Sequence, residues 1–73
     1  MVDWLPLDSS VLASVAYRPA KRMLYLRFRS GELYRYSDFP PEEYKDFLAA
    51  DSKGRYFSRN IRDRFACRHI HRL

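Results

Sequence analysis

Residues 23 to 36 read Met23-Leu-Tyr-Leu-Arg-Phe28, then Arg29-Ser-Gly31, then Glu32-Leu-Tyr-Arg-Tyr36. Large side chains alternate with basic ones on both sides of one Ser-Gly turn, which is the pattern of a β-hairpin. If Gly31 takes the left-handed position of a three-residue loop, Phe28 faces Glu32, Leu26 faces Tyr34 and Leu24 faces Tyr36. One face then carries Leu24, Leu26, Phe28, Tyr34 and Tyr36, and the other carries Met23, Tyr25, Arg27, Leu33 and Arg35. A two-residue turn at Ser30 and Gly31 would set Phe28 against Leu33 and split the apolar set between the faces. The three-residue loop is therefore the expected register.

Outward from the hairpin, the chain of 73 residues is expected to be one domain over residues 1 to 73, with its core in residues 8 to 66 and a tail from 67 to 73. So short a chain needs an efficient core. The residues expected to supply it are Leu12, Val15, Tyr17, Leu24, Leu26, Phe28, Tyr34, Tyr36, Phe39, Tyr44, Phe47, Leu48, Tyr56, Phe57, Ile61 and Phe65. Leu12 to Tyr17 suits a first strand, and Arg18 to Arg22 with its Pro19 suits a loop. The sheet is then most simply a three-stranded antiparallel meander, open to an added edge segment from a terminus; residues 1 to 10 read as a lead-in strand or arm, with Trp4 and Leu5 available to cover an edge of the core.

Ser37-Asp-Phe-Pro-Pro-Glu-Glu43 carries the marks of a helix start: prolines for the first turn, two acids at the positive end of the dipole, and a cap at Asp38 or just after. Tyr44, Phe47 and Leu48 then form one apolar stripe of a helix running to about Ala50. Gly54 reads as its stop. A second helix is expected from about Ser58 to Cys67, with Phe57, Ile61 and Phe65 inward, Arg59 close to Asp63 at i, i+4, and Arg62 outward. The tail after Cys67 allows a strand, a frayed helix end or disorder. The fold class is α+β, a β-β-β-α-α chain with both helices on one face of the sheet.

Net charge is +5, and the excess is local. From Asp51 to Leu73 seven basic residues stand against two acids, and the first fifty residues balance. A basic end suits a polyanion such as nucleic acid. Cys67 has no second cysteine for a disulfide, and Met1-Val-Asp-Trp-Leu-Pro6 has neither the basic start nor the apolar run of a secretory signal. A reducing, cytoplasmic setting is the expectation. No apolar run approaches the roughly 20 residues that a bilayer requires.

Four features in this order resemble the KTSC family, a small domain found at the C-terminus of some lysyl-tRNA synthetases and as a stand-alone bacterial protein. They are Ser9-Ser10, the Tyr34-Arg35-Tyr36 that follows a Ser-Gly turn, Phe39-Pro40, and Ser52-Lys-Gly-Arg-Tyr56-Phe-Ser-Arg-Asn60-Ile-Arg62. The match covers residues 8 to 66. Through the synthetase context the resemblance implies RNA binding, and it brings no catalytic residue onto this chain.

The leading candidate site joins Tyr25, Arg27 and Arg35 on the open sheet face to Arg55, Arg59 and Arg62 from the C-terminal part. Rings stack on unpaired bases and guanidinium groups contact phosphates, so such a surface suits single-stranded RNA or DNA. Against it stands a solvated face on which arginine stems cover Leu33 and Met23. Tyr34 and Tyr36 read as core. Cys67, His69 and His71 lack the fourth ligand of a closed zinc site, so no metal and no cofactor are expected. Ser52-Lys53-Gly54-Arg55 has two cations for a phosphate but lacks the glycines of a nucleotide loop, and Asp38, Glu42 and Glu43 read as first-turn acids. The expected function is non-catalytic nucleic-acid binding, RNA first. The alternative is a protein-interaction module that docks an acidic partner or a second copy, and a hydrolase or nuclease is disfavoured for want of a nucleophile or metal cluster.

Overall fold

The computed structural model describes residues 3 to 71, and its sheet grows from the hairpin in the expected register. Strand β3 (Met23–Phe28) and strand β4 (Leu33–Tyr36) pair with Leu24 opposite Tyr36 and Leu26 opposite Tyr34. Gly31 has φ +99°, its N–H donates to the Phe28 carbonyl at 2.9 Å, and the Phe28 N–H donates to the Glu32 carbonyl at 2.8 Å. That is the three-residue loop with glycine where a side chain would be strained.

The three-stranded meander gains an edge strand from each end of the chain, where the expectation had room for one terminal edge segment. Strand β1 (Leu5–Pro6) pairs with β2 (Leu12–Arg18), and the tail forms β5 (Cys67–Ile70) beside β4. The result is a five-stranded antiparallel sheet in the order β1-β2-β3-β4-β5, where the sequence had suggested three strands. Two and four residues are too few to show a periodicity, so these edge strands take their conformation from the strands they pair with.

A register shift separates Leu12, opposite Phe28, from Ser14, opposite Arg27. Strict alternation would put Leu12 and Val15 on opposite faces. The extra residue, Ala13, makes a β-bulge that turns both inward, and both are fully buried.

Helix α1 (Pro41–Ala49) starts with Pro41 at its first position and Glu42 and Glu43 in its first turn. Its N-cap is Pro40, with no side-chain cap bond, so Asp38 is not the cap; Asp38 instead takes φ +56° in the turn before it. Helix α2 (Lys53–Tyr56) begins five residues earlier than the sequence suggested, and passes into a π-helical turn, Phe57–Ile61. The Ser52 hydroxyl accepts the Arg55 N–H at 3.2 Å and caps it. Gly54 therefore lies inside the first turn of α2 and does not stop α1. The helical run ends at Ile61, short of Cys67.

Both helices pack on one face of the sheet. The Phe57 ring meets those of Phe28 and Tyr36 edge to face at 5.3 and 5.9 Å, and Phe39, Phe47 and Ile61 are fully buried beneath the helices. Every residue named above for the core belongs to this cluster or packs against it, and Leu7 joins it from the N-terminal arm. Arg29 pins that arm through Nε to the Ser9 carbonyl (2.9 Å) and a terminal nitrogen to the Leu7 carbonyl (3.0 Å). No described helix is long and apolar enough to cross a membrane.

Candidate nucleic-acid interface

The sheet divides the six expected contact residues into two groups. Tyr25, Arg27 and Arg35 lie on the face away from the helices. Arg55, Arg59 and Arg62 lie on the helical layer, whose inward side is taken by Phe57 and Ile61. A sheet stands between the groups, so they form no single surface.

The outer face is not an open aromatic platform. Tyr25 is 8% exposed and Leu33 likewise. Their cross-strand partners are Arg35 and Arg27, whose long stems lie beside them. The Arg27 guanidinium sits 4.6 Å from the Trp4 ring centroid, a cation-π contact that ties the N-terminal arm over this face. Arg35 is half-buried, and its Nε is enclosed with no partner among the described residues. Leu33 and Tyr25 are both buried on this face, and Tyr25 offers no free ring to a base.

The helical layer is different. The loop Asp8 to Val11 meets the start of α2 and the π-turn around an open cleft of about 470 Å³. That volume lies within the range of small-ligand sites, about 300 to 1,000 Å³. Three cations line it, Lys53, Arg55 and Arg59, against two carboxylates, Asp8 and Asp51. Lys53 holds the Ala50 carbonyl at 2.6 Å, leaving two of its three donors uncommitted. Arg55 and Arg59 are exposed. The expected pairing of Arg59 with Asp63 is absent; the ion pair among the described residues joins Arg64 to Glu43 at 3.6 Å. The π-turn shifts the spacing by one residue, with the Arg62 N–H reaching back to the Phe57 carbonyl at 2.9 Å. An i, i+4 argument therefore fails across it. Arg62 is exposed but does not line the cleft.

The serines give the cleft its sign. Ser9 Oγ accepts the Val11 and Leu12 N–H groups at 3.1 and 3.2 Å, and Ser52 Oγ accepts that of Arg55. Both lone pairs of Ser9 Oγ are engaged by backbone amides, so what this hydroxyl can offer to the cleft is its proton, and Ser52 Oγ keeps its proton and one lone pair. Ser10 and Ser58 add two more hydroxyls. Donor hydroxyls beside guanidinium groups match the oxygens of a phosphate. Gly54 forms part of the wall, where an added Cβ would stand 3.7 Å from Ser9 Oγ and from the Val11 side chain. Arg55 and Arg59 are legible in the sequence as contact residues, whereas Ser9, Ser10 and Ser58 are not legible there as their neighbours. The Ser9-Ser10 and Ser52-Lys53 motifs were each visible, and only the fold brings them together.

Elsewhere the polar chemistry is structural. The Tyr17 hydroxyl donates to the Phe39 carbonyl and the Tyr56 hydroxyl to Glu43 Oε2. Burial raises the Tyr36 pKa above the ordinary range; neighbouring Cys67 and Tyr34 add to this, and Arg62 opposes it. No group of three metal-ligating side chains occurs among the described residues.

The KTSC domain family model matches residues 8 to 65. A protein of Tsukamurella paurometabola is 42% identical over 60 residues, covering 82% of this chain and 90% of that one. A protein of Stutzerimonas stutzeri is 48% identical over 52 residues, 71% of this chain and 73% of that one. The lysine–tRNA ligase of Nostoc punctiforme is 33% identical over 58 residues, 80% of this chain but 10% of the ligase. Among solved structures, the crystal structure of a KTSC domain protein from Yersinia pestis superposes with a TM-score of 0.92 at 37% identity, covering 96% of this chain and 99% of that one.

Proposed function

This chain belongs to the KTSC domain family, and on that premise we propose that it is a non-catalytic RNA-binding domain that grips the phosphate backbone of a single strand in the cleft between the Ser9-Ser10 loop and α2. The observation that carries this reading is the pair of hydroxyls at Ser9 and Ser52, each already accepting from the backbone and each with its proton to donate, beside the cations Lys53, Arg55 and Arg59. A lysine–tRNA ligase among the relatives, an enzyme that by its name acts on a tRNA, supports RNA over DNA. The location of the charge supports it too, since the C-terminal third carries the whole net excess. The contact surface proposed here is narrower than the one the sequence suggests: Arg55 and Arg59 stay, Arg62 lies on the helical layer outside the cleft, and Tyr25, Arg27 and Arg35 on the far face take no direct part.

The test is fluorescence anisotropy with a short labelled single-stranded RNA over a range of salt concentrations. Affinity falls linearly in log-log form, with a slope of about −0.7 per phosphate neutralised. Arg55→Ala and Arg59→Ala each make that slope shallower by about 0.7, and Arg27→Ala leaves it unchanged. No binding at low salt, or binding that depends on Arg27 and not on Arg55 and Arg59, would refute the proposal.

A further inference from the structure

A second, smaller cleft of about 220 Å³ adjoins the first and shares Asp51, Ser52, Arg55 and Arg59 with it. What it adds is Ala50, Tyr56 and Asn60. We propose that it is a base pocket, in which the Asn60 carboxamide reads an unpaired adenine whose phosphate lies in the larger cleft. This rests on the RNA-binding reading above and goes beyond it by assigning a base preference and the residue that sets it.

Three observations meet at Asn60. Its carboxamide makes no hydrogen bond with the described residues, although its backbone carbonyl accepts from Arg64 at 3.2 Å. It lies in the π-turn Phe57–Ile61, a conformation uncommon in helices and frequent at functional sites. The wall beside it is rigid before any ligand arrives. Tyr56 is held by its hydroxyl on Glu43 at 2.5 Å, and its ring packs edge to face on fully buried Phe47 at 5.9 Å. A fixed aromatic wall beside an unengaged amide is how proteins hold a base splayed from a single strand. Of the bases, adenine is the one an asparagine amide pairs with most regularly, its oxygen accepting from N6–H and its nitrogen donating to N7. Arg55 and Arg59 belong to both clefts, so a phosphate gripped by them leaves its nucleoside within reach of Asn60.

The experiment compares short oligoadenylate, oligouridylate and an abasic ribose-phosphate oligomer on the full chain at one low salt concentration. The wild type is expected to bind oligoadenylate about tenfold more tightly than the other two, the discrimination a bidentate amide contact gives. Asn60→Ala should abolish that preference while keeping the affinity for the abasic strand and its salt slope. Asn60→Asp keeps the side chain's size but replaces the donor to N7 with an acceptor, and should abolish the preference as well, with circular dichroism confirming an unchanged fold for both. Salt-dependent binding with no base preference, or a preference that survives Asn60→Ala, overturns the base pocket and leaves backbone binding standing. No binding to any of the three overturns both.

Discussion

Gly54 shows how a single residue can be read in two ways. As a helix stop it would need a positive φ, yet Gly31 is the glycine with one and Gly54 sits within the first turn of α2. A Cβ there meets Ser9 and Val11 at 3.7 Å, ordinary van der Waals distance. Gly54→Ala is therefore expected to stabilise the protein by about 0.5 kcal/mol, by cutting the entropy of the unfolded chain. A urea titration will show the midpoint rising; at a true stop it would fall. The tyrosines give a second residue-scale prediction. Burial is the largest cause raising the pKa of Tyr17, Tyr36, Tyr44 and Tyr56 above 10.0, and for Tyr56 the bond to Glu43 adds to it. The folded state thus holds protons that the unfolded state releases first. Their contribution to stability is complete below pH 10.0 and is lost as pH climbs through the raised folded values. Thermal midpoints should hold on the alkaline side up to that pH and then drop, and Tyr56→Phe, which has no proton there to lose, should soften the drop.

At the scale of elements, the hairpin was legible because period-two alternation and a Ser-Gly turn agree on one register. The apolar stripe of α1 was legible for a similar reason, with Tyr44, Phe47 and Leu48 at helical spacing. The start of α2 was not, because Gly54 reads in the sequence as the stop of α1, whereas the Ser52 hydroxyl two residues before it begins the next helix. Ser52→Ala should cost about 1 kcal/mol, whereas Ser52→Gly should cost a few tenths, since glycine is tolerated at an N-cap. Equal losses in chemical denaturation would mean that the hydroxyl does not cap α2. The π-turn was invisible for a different reason. A widened turn leaves no periodic mark in five residues, and it is what separates Arg59 from Asp63.

Over the whole molecule, the core followed from composition and spacing because burying large apolar side chains admits few arrangements in a chain this short. The candidate site did not follow in the same way. Tyr25 is exposed in a pattern-based reading and buried in the fold, because its neighbours on the sheet supply a cover that alternation does not encode. Ser9 and Ser52 are far apart in sequence, and they come to one cleft because β2 carries the Ser9 loop alongside β3 and the start of α2 packs against that loop at Gly54. In the proposed interface RNA meets the helical side of the molecule and leaves the outer sheet face alone. The most direct measurement is a nuclear magnetic resonance titration of the labelled protein with short single-stranded RNA, read residue by residue. Binding in the cleft shifts Ser9, Ser10, Ser52 to Arg55 and Ser58 to Asn60 and leaves Tyr25, Arg27 and Arg35 unmoved; shifts centred on Tyr25, Arg27 and Arg35, or none at all, would refute the proposed interface.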